Sequence, residues 1–271
     1  MYRYLGGVLH NDDWCDPAPV DVLVADSWSV VEGSVVALDR HLERFRRGLQ
    51  VQSQRVPLTE DPEKFLDAVL DVLPTQGEWF PRIEWVQRPL GGEFRFHHRP
   101  RPAVQSSVVV RDASMDPRTY PQVKGPDLAR MNQLRAEASR LGAGEALLMD
   151  DSGQLSEGAY SSLAIWPQGR DEIWIVESPE RIPSVTESVV VDIARSEGIP
   201  VIRRSLLRAE LDGAELWVMS ALHGIRLATA WQEGPALSEV PGRRDAWQAL
   251  WQRRAEPISD FRSPSRSPER R

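Results

Sequence analysis

Residues 145–157 read Glu-Ala-Leu-Leu-Met-Asp-Asp-Ser-Gly-Gln-Leu-Ser-Glu, and the fold turns on them. Ala146 to Met149 form an apolar run of strand length, Asp151-Ser-Gly153 is a tight turn, and Gln154 onward returns as a second strand. The return carries an acidic side chain, Glu157, at a strand end. Working outward, Asp127 to Leu141 has helical spacing, and the second strand runs on, with a polar interruption, to Ile165. Ile173 to Val176 is another apolar strand and Val185 to Ser196 an amphipathic helix. Val201-Ile202 and Leu216 to Met219 follow as strands, the latter leading to a turn at Gly224. Strands alternating with helices indicate an α/β domain, placed at 123–256.

The first 110 residues have a different texture. Val22 to Val24, Trp28 to Val31 and Val35 to Leu38 read as strands, with a turn at Glu32-Gly33. Asp39 is the expected N-cap of a helix that runs to Arg47. Phe65, Ala68, Val69 and Val72 repeat at helical spacing between Pro62 and Leu73. Pro81 to Gln87 and Glu93 to His98 alternate as strands around Gly91-Gly92, and Val104 to Val110 is a further strand. The expectation is a smaller α+β domain at 1–110, a connector at 111–122 that contains two prolines, and a disordered tail at 257–271.

With 271 residues, 41% of them apolar, the chain can bury a substantial core. A formal charge of −7 opposes a nucleic-acid grip built on phosphate neutralisation, so no nucleic-acid partner is expected. Cys15 is the only cysteine, which excludes an intrachain disulfide and fits a reducing cytoplasm. No apolar run approaches the length of a membrane span, and Met1 to His10 lacks the pattern of a leader, so a soluble cytoplasmic protein is expected. His97-His98 gives little reason for a metal, because adjacent strand residues point to opposite faces.

Among 33 basic residues only Lys64 and Lys124 are lysines. Arginine stays protonated and is no amine nucleophile, so imine chemistry has two side-chain candidates. Lys124 lies between Pro121-Gln-Val123 and Gly125-Pro126, at the entry to the second domain and not on a solvated helix face. Downstream of it, the acid at Glu157 is of a kind that holds a protonated heteroaromatic nitrogen.

Lys124, Gly144-Glu-Ala-Leu-Leu148, Gly153-Gln-Leu-Ser-Glu157 and Ser162-Leu-Ala-Ile165 together resemble the class IV, or fold-type IV, pyridoxal-phosphate family. That family contains branched-chain and D-amino-acid transaminases and 4-amino-4-deoxychorismate lyase. The resemblance extends to Ile182-Pro-Ser-Val-Thr186, to Glu215-Leu-Trp-Val-Met-Ser-Ala-Leu-His-Gly224 and to His41-Leu-Glu-Arg44-Phe45. It implies a two-domain fold with pyridoxal 5'-phosphate as cofactor, a small-molecule amino substrate and a homodimer. Lys124 then holds the cofactor as an imine and serves as general base, and Glu157 faces the pyridine nitrogen. Arg44, the Val185 and Thr186 amides, the Thr186 hydroxyl, and Ser220 with Ala221 bind the phosphate. Arg88 and Arg95 are candidate clamps for a substrate carboxylate.

Each position also has a structural reading. On that reading Arg44 is one of three arginines, with Arg46 and Arg47, on a solvated helix face, Glu157 pairs with some nearby arginine, and Thr186 and Ser220 are ordinary turn residues. The chain departs from the family where Ser184 replaces a glycine, Glu187 an arginine and Ser162 an asparagine. Leu128 and Ala129 occupy the place of a usual tyrosine, and Asp26-Ser-Trp-Ser-Val-Val-Glu-Gly33 that of a glycine-rich stretch. Modest length and compact loops put the lyase first, with pyruvate eliminated as the ring becomes aromatic. Amino-acid transamination comes second, and a cofactor-free binding protein third.

Overall fold

Alternation of large apolar and charged side chains organises the first part of the chain. A computed structural model describes residues 1–11, 20–89 and 91–262. It divides into two compact units, Met1–Pro102 with the described residues from Ala255 onward, and Ala103–Arg254. The first unit opens with a hairpin, β1 (Tyr2–Leu5) and β2 (Val8–Asn11). There follow β3 (Val22–Ser27), β4 (Val30–Val31), β5 (Ser34–Val36), α1 (Leu38–Gln52), α2 (Pro62–Val72), β6 (Glu78–Trp79), β7 (Arg82–Arg88) and β8 (Gly91–His97). Five of these strands form an antiparallel sheet in the order β2-β1-β8-β7-β3. On one face Ile83, Trp85, Phe94 and Phe96 are fully buried, and Phe65 of α2 stacks on Phe94 at 4.7 Å between ring centroids. The opposite face carries Arg82, Glu84, Glu93, Arg95 and His97, as the period of two requires.

Two helix starts show how local chemistry sets the boundaries. Asp61 accepts a hydrogen bond from the Glu63 amide at 2.9 Å and Pro62 follows it, so α2 begins with a side-chain cap. The expected cap of α1 at Asp39 is corrected. Ala37, in a left-handed conformation at φ 52°, is the boundary residue, and Asp39 lies inside the first turn, where its charge suits the helix dipole.

The second unit contains β9 (Ser107–Asp112), α3 (Leu128–Arg140), β10 (Glu145–Met149), β11 (Leu155–Gly158), β12 (Ser162–Trp166), β13 (Ile173–Val176), α4 (Val185–Ser196), β14 (Val201–Arg204), β15 (Glu215–Ser220), β16 (Gly224–Gln232) and α5 (Arg243–Gln252). Its eight-stranded mixed sheet runs β11-β10-β9-β16-β15-β12-β13-β14. Val108, Val110, Leu147, Leu163, Ile165, Leu216 and Val218 form the core on one face. On the other, Met131, Leu134 and Ala138 of α3 cover Ala146 and Leu148 of β10. Trp247 of α5 meets Trp166 and Trp217 edge-on, each at 5.3 Å.

Two boundaries differ from the sequence reading. The strand assigned to the end of the first domain at Val110 is β9, parallel to both β10 and β16 inside the second sheet. The division therefore falls at Pro102, and no separate connector at 111–122 stands between the units. At the far end, β17 (Ala255–Pro257) pairs antiparallel with β5 and completes the small sheet β17-β5-β4-β6, and Ile258 is fully buried. The first six residues of the supposed tail are thus part of the first unit, while 263–271 and Cys15 lie outside the described residues. The single long strand expected from Gln154 to Ile165 is two strands, β11 and β12, separated by residues 159–161.

Candidate active site

Lys124 lies in a loop between β9 and α3 that is tied down from its far end. The buried Asp127 carboxylate does not cap α3. It accepts the Thr119 amide at 3.0 Å, the Thr119 hydroxyl at 3.0 Å and the Tyr120 amide at 2.8 Å, while Arg130 donates to it at 2.8 Å. Gly125 adopts φ 139°, a conformation L side chains rarely take, so the backbone turns immediately after the half-buried lysine. This geometry holds Lys124 at the start of α3 and in the wall of a cleft that Arg118, Tyr120 and Tyr160 also line.

Glu157, 4% exposed, lines the same cleft from β11. Its Oε1 accepts from Arg118 Nη1 and from the Ile182 amide, the latter at 3.0 Å. Burial pushes the Glu157 carboxyl up to about 7, against the opposing pull of Arg118, the Ile182 amide and Arg181. The strand end that bears it is clamped from below. Glu145, 1% exposed, accepts from Ser161 Oγ at 2.9 Å and Arg226 Nη2 at 3.2 Å. A Cβ on Gly158 would come within 2.2 Å of Ser161 Oγ, so the return between β11 and β12 closes over a glycine.

Two of the segments expected to bind the phosphate, those before Val185 and around Ser220, come next to Ser162. Its Oγ donates to Ser184 Oγ at 2.8 Å, and in the sheet Ser162 is paired with Met219, next to Ser220. Ser184 caps α4 by accepting from the Glu187 amide at 3.2 Å. The Val185 and Thr186 amides and the Thr186 hydroxyl, all in buried residues, have no hydrogen-bond partner among the described residues. A buried helix start with open N–H groups is a place for an anion. Ser220 Oγ accepts from the His223 amide at 3.3 Å across the β15–β16 turn. Glu187, at the position of a family arginine, is buried and neutralised by Arg181 and by Arg203 at 3.2 Å.

A family model described as amino-transferase class IV matches residues 23–231. The chain belongs to the class IV aminotransferase family. A putative branched-chain-amino-acid aminotransferase of Methanocaldococcus jannaschii is 25% identical over 206 residues, covering 68% of this chain and 69% of that relative. Among solved structures, this class IV aminotransferase resembles the branched-chain aminotransferase of Thermoproteus uzoniensis with norvaline, at a TM-score of 0.79 and 19% identity, over 95% of this chain and 99% of that one. It also resembles the branched-chain amino acid aminotransferase of Thermobaculum terrenum in its PLP-form, at a TM-score of 0.77 and 18% identity, over 95% and 98% of the two chains. At that identity the structures establish the fold, which is fold-type IV. These relatives carry aminotransferase names, and the lyase expectation draws nothing from them.

The residues expected in the first unit have partners within it. Arg44 grips the fully buried Asp26 through Nε at 2.7 Å and Nη2 at 2.8 Å, and His41 Nδ1 lies 2.8 Å from the same carboxylate. Burial alone would raise the Asp26 carboxyl; Arg44 and His41 outweigh it and hold the group well below the usual carboxylate range. Arg95 donates to Glu93 at 2.8 Å, and Arg88 lies 3.5 Å from the same acid. His97 meets Glu84 at 2.8 Å, and His98 stacks on Trp79, so neither histidine faces the other. Sequence reasoning passed over Arg118 and Tyr160, both in the cleft wall. Neither carries a sequence signal of its own: Arg118 is six residues before Lys124 and Tyr160 three after Glu157, and only the fold brings them into one wall.

Proposed function

We propose that this chain is a pyridoxal-phosphate-dependent transaminase acting on amino acids, with branched-chain amino acids as the substrate class. One observation carries the reading: the single amine of the site, Lys124, and a buried acid, Glu157, line one cleft. The open amides and hydroxyl at the start of α4 fit a phosphate dianion, and both bonds of Glu157 fall on Oε1, leaving its other oxygen as an acceptor. When bound, pyridoxal phosphate supplies an aldehyde and an electron-withdrawing ring that acidifies the α-carbon of an attached amino acid.

The chain's own residues then have separable tasks. Lys124 Nζ would hold the cofactor and would serve as the general base toward the substrate α-carbon. Glu157 accepts a hydrogen bond from the ring nitrogen and favours its protonated form. Val185, Thr186, Ser220 and Ala221 hold the phosphate. Within the first unit, Arg88 and Arg95 are proposed to bind a substrate carboxylate. Arg3, Arg82, Arg88 and Arg95 lie on one sheet face together with Glu84, Glu93 and His97, and it is this clustering of guanidinium groups that supports the reading. A homodimer completes the proposal and is read by the molar mass in solution.

The test is borohydride reduction with pyridoxal phosphate, peptide mass analysis, and assays of amino transfer and of pyruvate release. A reduced adduct on Lys124, lost in Lys124→Ala along with at least about 100-fold of the transfer rate, is the expected result. Pyruvate released from 4-amino-4-deoxychorismate without amino transfer would replace transaminase by lyase. No adduct at all would remove the enzymatic reading.

A further inference from the structure

Arg118 joins the pieces of the cleft wall more than any other side chain there. It precedes Lys124 in the same loop, and its side chain is 3% exposed. Asp116 fixes its plane, accepting from Nε at 2.9 Å and Nη2 at 2.6 Å. Nη2 also donates to the Glu180 carbonyl at 2.8 Å and to Ser156 Oγ at 3.3 Å. With its plane held this way, Nη1 is directed at Glu157 Oε1. A guanidinium that only stitched loops together would have no need of a buried carboxylate in the cofactor cleft.

The charge balance explains the arrangement. With all three ionised, Arg118, Asp116 and Glu157 sum to one negative charge, and a protonated ring nitrogen would bring the sum to zero. The other ionisable groups around Glu157 are Lys124, Tyr120 and Asp127 from the lysine loop, Tyr160 from the β11–β12 return, and Arg181 from the segment before α4. Asp127 is bound to Arg130, and Arg181 is bound to Glu187. Arg118 donates directly to Glu157.

We propose that Arg118 is a positioning residue that draws Glu157 back toward its anionic form against burial and aims it into the cleft, so that the ring nitrogen of pyridoxal phosphate meets a carboxylate and not a carboxylic acid. The inference rests on the cofactor reading above. A neutral Glu157 would donate its own proton, leaving the ring nitrogen uncharged and the ring a weaker electron sink. Burial opposes the anion at this position, and Arg118 is the largest of the forces that restore it.

The test is made first without cofactor, so that it stands apart from the cofactor reading. Thermal stability of the apo protein is followed across pH for wild type, Arg118→Gln, Arg118→Lys, Glu157→Gln and the Arg118→Gln/Glu157→Gln pair. In wild type the Glu157-dependent fall in stability should end near pH 7. In Arg118→Gln it should extend to higher pH, in Arg118→Lys it should return toward wild type, and with Glu157→Gln added it should vanish. The carboxyl carbon shift of Glu157 in wild type and Arg118→Lys gives the same comparison should the glutamine variant not fold. Identical profiles in wild type and Arg118→Gln, or an Arg118→Gln profile unaltered by Glu157→Gln, would overturn the proposal. Wild-type adduct formation on Lys124, measured in parallel, reports separately on the cofactor reading.

Discussion

At Glu157 the sign of the pH effect follows from where the proton prefers to be. The folded chain holds the carboxyl proton up to about pH 7, whereas an ordinary glutamate releases it near 4.5. Between those values the native state binds more protons than the unfolded state, so the group's contribution makes stability fall as pH rises. We expect apo protein to lose stability across that window and Glu157→Gln to flatten the loss, as measured by melting temperature against pH. Asp26 behaves in the opposite sense. Its folded-state carboxyl is depressed by Arg44 and His41, so its contribution is present at neutral pH and disappears in acid. Arg44→Gln should cost about 3 kcal/mol, because it strands a buried carboxylate, and urea denaturation would show it as a lower midpoint. An unchanged midpoint would mean that His41 alone suffices for Asp26.

Elements carry these residues into place, and the loop before α3 is the clearest case. Asp127→Ala removes three hydrogen bonds that hold Thr119 and Tyr120. It should cost about 1–3 kcal/mol and slow covalent capture of pyridoxal phosphate by Lys124, measured as the rate of reducible adduct formation. Ser184→Ala should remove the cap of α4 at about 1 kcal/mol, and weaken cofactor affinity with it if the phosphate lies there. A stability loss with unaltered affinity would move the phosphate elsewhere. What was legible in the sequence follows the same divide. Strand–turn–strand signals at 145–157 and the helix at 185–196 are local, so turn residues and periodicity sufficed to find them. Lys124 and Glu157 were singled out by the family resemblance, which ties them to those elements, and both line one cleft. Arg118 and the meeting of Ser162 with Ser184 depend on contacts between segments distant in the chain, which no spacing records. Asp39 illustrates the limit for caps: a good capping side chain was present, but a left-handed Ala37 started the helix two residues earlier.

For the whole molecule, the first unit is not one continuous stretch of chain. Low apolar content made everything after 256 look like tail, yet Ala255–Pro257 supplies a strand to β5 and Ile258 is fully buried. Arg262 then donates to the Leu70 carbonyl at 3.1 Å and the Leu73 carbonyl at 3.3 Å, holding the end of α2. A chain ending at Arg254 therefore leaves an open edge on β5, an empty place for Ile258 and unsatisfied carbonyls beside α2. Loss of the Ile258 side chain alone should cost about 2–5 kcal/mol, so the truncated protein should melt well below one ending at Arg262. Hydrogen exchange locates the damage: β4, β5 and the end of α2 should lose protection, while β9, β12 and β15 in the second sheet keep theirs. Uniform loss across both sheets would instead mean that the two units unfold cooperatively.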